Sequence, residues 1–147
     1  MKTKIMIIVI AILIIMNGML YNYSKNNVLE LLYSPDALSE LLDGVYPSNI
    51  MIDIRDREDY ERGHIDGFIN IPSTDGISVD EYLKKERLSH KYVYLMCYSG
   101  KRAAKATEYL KKQGYMHVVY ITFGYDEYAQ SQDGFVPKIG ECDCLAD

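Results

Sequence analysis

The hydrophobic positions divide the chain into an apolar leader and a longer body with a mixed pattern. Residues 5–16, IMIIVIAILIIM, form an unbroken apolar run behind Lys2 and Lys4, and apolar residues resume at 19–21. A run without a polar face is too hydrophobic for a surface helix of a globular domain. Basic residues followed by an apolar segment are typical of a membrane-targeting leader.

Two forms of this leader are open. The stretch 5–21 has 17 residues, at the lower edge of the roughly 17–25 that span a bilayer, so we expect an uncleaved signal anchor over residues 1–21. A cleaved signal peptide is the alternative, with Gly18 as the last residue before the cleavage site. Met16 would then stand two residues earlier, where a small side chain is usual. Because basic residues stay on the cytoplasmic side, we expect a single-pass protein of the cell membrane with its domain on the outer side, or a secreted domain after cleavage.

In the body, short apolar runs alternate with segments of helical spacing. The runs have the length and composition of strands buried on both faces, and they are residues 50–54, 68–71, 92–96 and 118–121. The helical segments are residues 34–44, 55–62, 79–88, 101–113 and 126–130. This alternation predicts an α/β fold with a small, central, mostly parallel sheet flanked by helices on both faces. Residues 22–33 are expected to be a tether that precedes it.

The first of these helices has the clearest boundary signals. Ser34 is the expected N-cap, Pro35 fits the first helical position, and Asp36 lies at the positive end of the helix dipole. Gly44 is the expected glycine that ends the helix.

Composition and charge exclude several classes of protein. A chain of 147 residues with 48% hydrophobic and 25% charged residues fits one ordinary domain, and it is too apolar to be disordered. Its formal charge is −5, and no basic stripe is interleaved with aromatic residues, so we expect no nucleic-acid partner. Three cysteines are too few for a disulfide framework, so each is considered for its chemistry.

The most informative segment is CYSGKR, residues 97–102, which follows the strand 92–96 and opens a helix. A thiol at this place lies over the N-terminus of the helix, where backbone N–H groups and the dipole stabilise an anion. Gly100 allows the loop to curl into an anion-binding nest, and Lys101 and Arg102 add positive charge. Cys97 is therefore the candidate nucleophile.

These residues resemble the rhodanese family of sulfurtransferases over about residues 34–128. The loop 97–102 has the six-residue length of that family's active-site loop. A second match is DIR at 53–55 followed by GHIDGFINIP at 63–72, which is similar to the family's GHI-x-GA-x-NIP signature. A third, at 123–128, is weaker, because phenylalanine replaces the family's first glycine and tyrosine its tryptophan, a departure that concerns loop geometry near the site.

The resemblance implies sulfur transfer through a persulfide of Cys97. An anionic donor such as thiosulfate would supply a sulfane sulfur, and a thiophilic acceptor, cyanide or a thiol, would remove it. The donor would be bound by the loop that follows the cysteine, formed by Tyr98, Ser99, Gly100, Lys101 and Arg102. The cationic pair in this loop favours an inorganic anion over mercaptopyruvate.

The resemblance also assigns supporting roles to three residues outside the loop. Asp53 and Arg55 are expected to form a salt bridge that fixes the site. His64 is expected to support packing rather than to act as a general base. No cofactor and no metal are expected, and the predicted partners are a small sulfur-containing anion, a thiol acceptor and, through residues 5–21, the membrane.

Two other functions remain open for this site. One is a catalytically silent rhodanese module that binds proteins, although such modules commonly lack the cysteine that Cys97 provides. The other is a cysteine-dependent phosphatase or arsenate reductase, which uses C-x5-R, whereas Cys97 and Arg102 have C-x4-R spacing. Met96 also stands where many phosphatases have a histidine.

The C-terminal segment, residues 131–147, follows the predicted rhodanese-like domain of residues 34–130. It carries Cys142 and Cys144 in C-x-C spacing. Two local ligands without a histidine do not make a zinc site. We expect either an exposed tail or a sulfur relay in which one of these thiols accepts sulfur from Cys97 or forms a disulfide.

Overall fold

The computed structural model describes residues 2–27, 30–44 and 47–140. Helices and strands alternate through these ranges. The elements are α1 (Lys2–Asn27), β1 (Glu30–Leu32), α2 (Pro35–Asp43), β2 (Asn49–Asp53), α3 (Arg57–Arg62), β3 (Phe68–Asn70), α4 (Ile77–Lys85), β4 (Tyr92–Cys97), α5 (Lys101–Lys112), β5 (Val118–Gly124) and α6 (Tyr125–Ser131).

The strands form one five-stranded sheet in the order β1-β5-β4-β2-β3. Every strand pair is parallel, so the carboxyl ends of all strands lie at the same edge. The α/β fold class predicted from the alternation of runs is therefore confirmed. Strand β4 lies in the middle of the order, between β5 and β2, and its carboxyl end opens the candidate loop.

Side chains alternate between the two faces of the sheet, and each face has its own apolar cluster. On β4, Leu95 and Cys97 belong to the cluster under α4 and α5, and Met96 belongs to the other. Leu38 of α2 and Tyr128 of α6 pack in this second cluster. A sheet covered on both faces explains why its central strands are continuous apolar runs rather than alternating ones.

Helix α2 begins as the sequence predicts but ends differently. The Ser34 hydroxyl accepts a hydrogen bond from the backbone N–H of Ala37 at 3.4 Å, and Pro35 is the first helical residue. Gly44 has an extended backbone, with φ −81° and ψ 142°. The helix therefore ends without the left-handed glycine that the sequence led us to expect.

The segment 22–33 differs from the expected tether. It contains the end of α1 and the three-residue strand β1, which pairs with β5 through Glu30↔Val119 and Leu32↔Ile121. Strand β5 is longer than predicted and continues to Gly124. Both differences have one cause: pairing with a neighbouring strand defines these segments, and local periodicity does not report it.

The leader forms the 26-residue helix α1, and its apolar side chains from Met6 to Tyr21 are exposed. In the described ranges, no helix is long and apolar enough to cross a membrane. The expected membrane span at residues 5–21 is thus not supported.

Candidate functional site

Cys97 is the last residue of β4, and its side chain is buried. A short turn follows, and α5 begins at Lys101 with Gly100 as its N-cap. Gly100 has a left-handed backbone, φ +76° and ψ −23°, a conformation that favours glycine. Only three residues separate Cys97 at the end of β4 from the first residue of α5.

The loop packs closely against the end of β5. A Cβ atom on Gly100 would lie 2.3 Å from the carbonyl oxygen of Thr122, and a Cβ atom on Gly124 would lie 1.7 Å from that of Tyr98. The strand register shifts at this point, and Cys97 pairs with Gly124. Position 124 therefore requires glycine because the Cβ atom of any other residue would overlap the carbonyl group of Tyr98. Sequence reasoning did not identify it, because a close approach between two segments leaves no local pattern.

The weaker third motif, residues 123–128, is compatible with this close approach between the end of β5 and the loop. Phe123, which stands in place of a glycine, is buried in the cluster with Tyr128, and the two rings are stacked with centroids 6.5 Å apart. Because alternate residues of a strand point to opposite faces, Phe123 packs into the core while Gly124 meets the loop. The departure from the family pattern thus leaves the close approach at Gly124 intact.

The first turn of α5 offers hydrogen-bond donors to an anion. Gly100 provides no side-chain cap, and the first helical bond runs from the N–H of Ala104 to the carbonyl oxygen of Gly100 at 2.8 Å. The N–H groups of Lys101, Arg102 and Ala103 therefore have no acceptor within the helix. Together with the positive end of the dipole they can stabilise negative charge at the loop.

The two loop cations differ in their surroundings. Arg102 is half-buried, and its Nη1 atom lies 3.3 Å from Oδ1 of Asp56. Its guanidinium also lies above the ring of Tyr98, 4.8 Å from the centroid. Lys101 and Ser99 are exposed, and no ion pair of Lys101 is found within the ranges that the structure describes.

Tyr98 fastens the loop to the start of α3. Its hydroxyl hydrogen is shared between Oδ2 of Asp59, the nearer acceptor, and Oδ2 of Asp56 at 3.1 Å, and its oxygen accepts from the backbone N–H of Asp56 at 3.2 Å. Asp59 is in turn paired with Arg62. Sequence reasoning missed both aspartates because a short charged helical segment at 55–62 does not indicate contacts with a distant loop. The only signal was the high local density of acidic residues.

Asp53 and Arg55 form a fully buried ion pair at the end of β2. The Arg55 Nη2 atom lies 2.7 Å from Oδ2 of Asp53, and its Nε atom donates to the same carboxylate. Arg55 also donates to the carbonyl oxygen of Gly63 at 2.8 Å and lies 4.0 Å from the centroid of the Tyr125 ring. Burial raises the pKa of the Asp53 carboxyl, and the neighbouring guanidinium opposes this effect. Asp53 pairs in register with Met96, so the ion pair lies beside the residue that precedes Cys97.

The signature residues after α3 complete the support. The amide of Asn70 donates to the carbonyl oxygens of Asp53 and Arg55 at 2.9 and 3.0 Å, a role that sequence reasoning did not assign. His64 is buried, stacks on the ring of Tyr60 with centroids 3.8 Å apart, and pairs its backbone with Lys138. These contacts are those of a packing residue.

A cleft of about 240 Å³ opens beside the loop. Its walls combine positive, negative and aromatic side chains, and they are formed by Arg55, Asp59, Arg62, Gly63, Tyr98, Tyr125 and Asp126. The cleft lies between the loop, α3 and the start of α6, and it provides room for a small molecule next to Tyr98. Cys142 and Cys144 lie outside the described residues, so their predicted relay remains a prediction.

Comparisons with known proteins agree on one family. The sequence profile described as "Rhodanese-like domain" matches residues 34–131. The protein YrkF of Bacillus subtilis, named as a sulfur carrier protein, is 32% identical over 91 residues, which are 62% of this chain and 46% of YrkF. The tRNA uridine(34) hydroxylase of Yersinia enterocolitica is 29% identical over 98 residues, 65% of this chain and 27% of that enzyme.

Solved structures agree on the fold. A crystal structure of a rhodanese-like domain protein from Staphylococcus aureus superposes with a TM-score of 0.61 at 23% identity, covering 77% of this chain and all of that one. The two curated relatives named above are longer proteins, and this chain spans less than half the length of each.

Proposed function

Because this chain belongs to the rhodanese-like domain family, we propose that it transfers a sulfane sulfur from an anionic donor to a thiophilic acceptor through a persulfide on Cys97. The observation that carries the proposal is the place of this thiol. Cys97 ends the middle strand of the sheet and leads, through a left-handed glycine, into a helix with uncapped N–H groups. A nucleophile and an anion-binding element are thus adjacent.

The first half-reaction loads the cysteine. The thiolate sulfur of Cys97 attacks the outer sulfur of thiosulfate, a sulfur–sulfur bond forms, and the bond between that sulfur and the sulfonate breaks. Sulfite leaves with the bonding electron pair, and Cys97 carries a persulfide anion. The free N–H groups at the start of α5 stabilise the negative charge of the donor and of the persulfide.

The second half-reaction unloads it. Cyanide or a thiolate attacks the terminal sulfur, the sulfur–sulfur bond breaks, and the electron pair returns to Cys97 as thiolate. With cyanide the product is thiocyanate. The loop cations Lys101 and Arg102 hold the anionic end of the donor, and Tyr98 and Ser99 line its approach.

The test is a thiosulfate:cyanide assay on the wild-type chain and the Cys97→Ser variant, with the double variant Cys142→Ser/Cys144→Ser as the matched control. We expect thiocyanate formation by the wild type and the control, and its complete loss in Cys97→Ser. Treatment with thiosulfate alone should add one sulfur atom to Cys97, detected by mass spectrometry and removed by cyanide. An unlabelled Cys97 would favour a binding module, and turnover of an aryl phosphate that depends on Cys97 would favour a phosphatase.

The location of the domain is a separate proposal. Lys2 and Lys4 precede an apolar run of twelve residues, 5–16, which lies within the roughly 7–15 residues of a signal-peptide hydrophobic region. We propose that the leader directs the domain to the outer side of the membrane. Digestion of the domain in intact cells by an external protease, or its recovery from the medium, would support this, and protection in the cytoplasmic fraction would refute it.

A further inference from the structure

The guanidinium that is positioned to bind an anionic donor already has an anionic neighbour. Arg102 donates to Oδ1 of Asp56 at 3.3 Å. The side chains of this pair are 36% and 63% exposed, respectively, so solvent and small ions reach both. A donor that uses Arg102 must therefore displace the Asp56 carboxylate or lie beside it.

Asp56 is held in this place by the loop itself. Its backbone N–H donates to the Tyr98 hydroxyl, and its Oδ2 atom lies 3.1 Å from the same hydroxyl, whose hydrogen it shares with Asp59. Asp56 is the N-cap residue of α3, yet its side chain makes no capping hydrogen bond to the helix. The carboxylate is thus directed towards the loop residues Tyr98 and Arg102 instead of towards its own helix.

We propose that Asp56 is a specificity-determining residue that selects the charge of the sulfur donor, an inference that rests on the proposed function. A carboxylate fixed beside Arg102 repels a bound donor in proportion to the donor's charge. The repulsion energy is twice as large for a dianion, such as thiosulfate, as for a monoanion at the same place. Asp56 therefore shifts the selectivity of the site away from thiosulfate and towards monoanionic sulfane donors, such as organic thiosulfonates and persulfides.

The chemistry at Cys97 is the same for both classes of donor. With methanethiosulfonate, the thiolate attacks the terminal sulfur, the sulfur–sulfur bond of the donor breaks, and methanesulfinate leaves with the electron pair. Only the charge of the group held by the loop changes. A comparison of these two donors therefore measures charge selection at constant reaction type.

Binding is measured first, in the Cys97→Ser background, where no sulfur is transferred. We expect Asp56→Asn to tighten thiosulfate binding about tenfold and methanethiosulfonate binding about threefold, because one removed charge acts on two charges or on one. Asparagine retains an oxygen acceptor for Tyr98, so the loop keeps its contact. Isothermal titration calorimetry at fixed ionic strength gives both dissociation constants.

Glu58→Gln is the matched control, since it removes one exposed negative charge from the same helix without touching the loop. It should change either dissociation constant by less than about twofold, as for a screened surface charge. When Arg102 is also replaced by Gln, Asp56→Asn should likewise change the dissociation constant of thiosulfate by less than about twofold. Equal effects of Asp56→Asn on both donors, an equal effect of Glu58→Gln, or no binding of either anion would overturn the proposal.

Turnover separates this inference from the proposed function. In a chain with Cys97 intact, Asp56→Asn should lower the KM for thiosulfate and leave kcat within about twofold, because the residue acts on donor binding. Absence of turnover with either donor would refute the proposed sulfur transfer. The binding comparison in Cys97→Ser would still decide whether Asp56 selects charge.

Discussion

Two aspartate–arginine pairs have their aspartates at or shortly after the end of β2. They differ in burial, in the distance between the charged atoms and in the separation of the partners along the chain. Asp53 and Arg55 are 2.7 Å apart, with side chains 1% and 4% exposed. Asp56 and Arg102 are 3.3 Å apart, with side chains 63% and 36% exposed. The buried pair joins residues two apart in sequence, whereas the exposed pair joins α3 to the loop across 46 positions.

The difference determines what each pair can do. A buried ion pair loses the hydration of both charges, so it is kept only where further hydrogen bonds satisfy it, and removal of one partner strands the other charge. Arg55 has such bonds to Gly63 and to the carboxylate. An exposed pair contributes little to stability, and another anion can replace the carboxylate. The first pair is suited to hold the site, and the second to bind or reject a ligand.

The largest expected effect is on stability, from breaking the buried pair. Arg55→Ala should lower the free energy of unfolding by about 3–5 kcal/mol, because the Asp53 carboxylate would remain buried without its counter-ion. Urea denaturation followed by circular dichroism measures the change. A loss below about 1 kcal/mol would mean that the Asp53–Arg55 pair behaves like a surface pair.

A second effect, of intermediate size for each residue involved, concerns alkaline pH and two buried tyrosines, one on each face of the sheet. Burial raises the pKa of Tyr60 to about 12, and the pKa of Tyr115 is also raised to about 12 by burial. Because the folded state keeps phenolic protons that the unfolded state releases near pH 10, stability should fall between pH 10 and 12, by about 1.4 kcal/mol per pH unit for each tyrosine.

Tyr60→Phe should reduce this slope by about 1.4 kcal/mol per pH unit, and Tyr115→Phe should do the same. Denaturant titrations at several alkaline pH values measure it. An unchanged slope in Tyr60→Phe would contradict the assignment to that phenol.

The smallest expected effect comes from opening the exposed pair. Arg102→Gln should change the free energy of unfolding by less than about 1 kcal/mol, and added salt should reduce the difference further. Thermal melts at low and high ionic strength measure this. A loss as large as that of Arg55→Ala would show that the loop cation holds the fold together, and the contrast between the two pairs would disappear.

The sequence predicts elements that hydrophobic spacing defines, and it misses contacts that only the tertiary structure creates. Strand β4 was predicted over residues 92–96 because they form a continuous apolar run, and the helix after it was predicted over residues 101–113 from its helical spacing. Strand β1 has no such pattern, and its pairing with β5 crosses about 90 positions. Local spacing carries no information about such a distant partner.

The same limit applies within the site. The Asp53–Arg55 pair was expected because the two residues belong to one short motif, and the structure contains it. The contacts of Asp56 with Tyr98 and Arg102 join two separate motifs, and neither motif alone predicts them. Gly124 was noticed only as part of a weak motif, because its role depends on the position of the Tyr98 carbonyl.

The order of the strands has a consequence for behaviour in solution. Both edge strands, β1 and β3, are only three residues long, so each edge offers few unpaired backbone groups to a strand of another molecule. Pro72, which lacks an N–H donor, follows shortly after β3. Short edges and a nearby proline are features by which sheet proteins resist edge-to-edge aggregation.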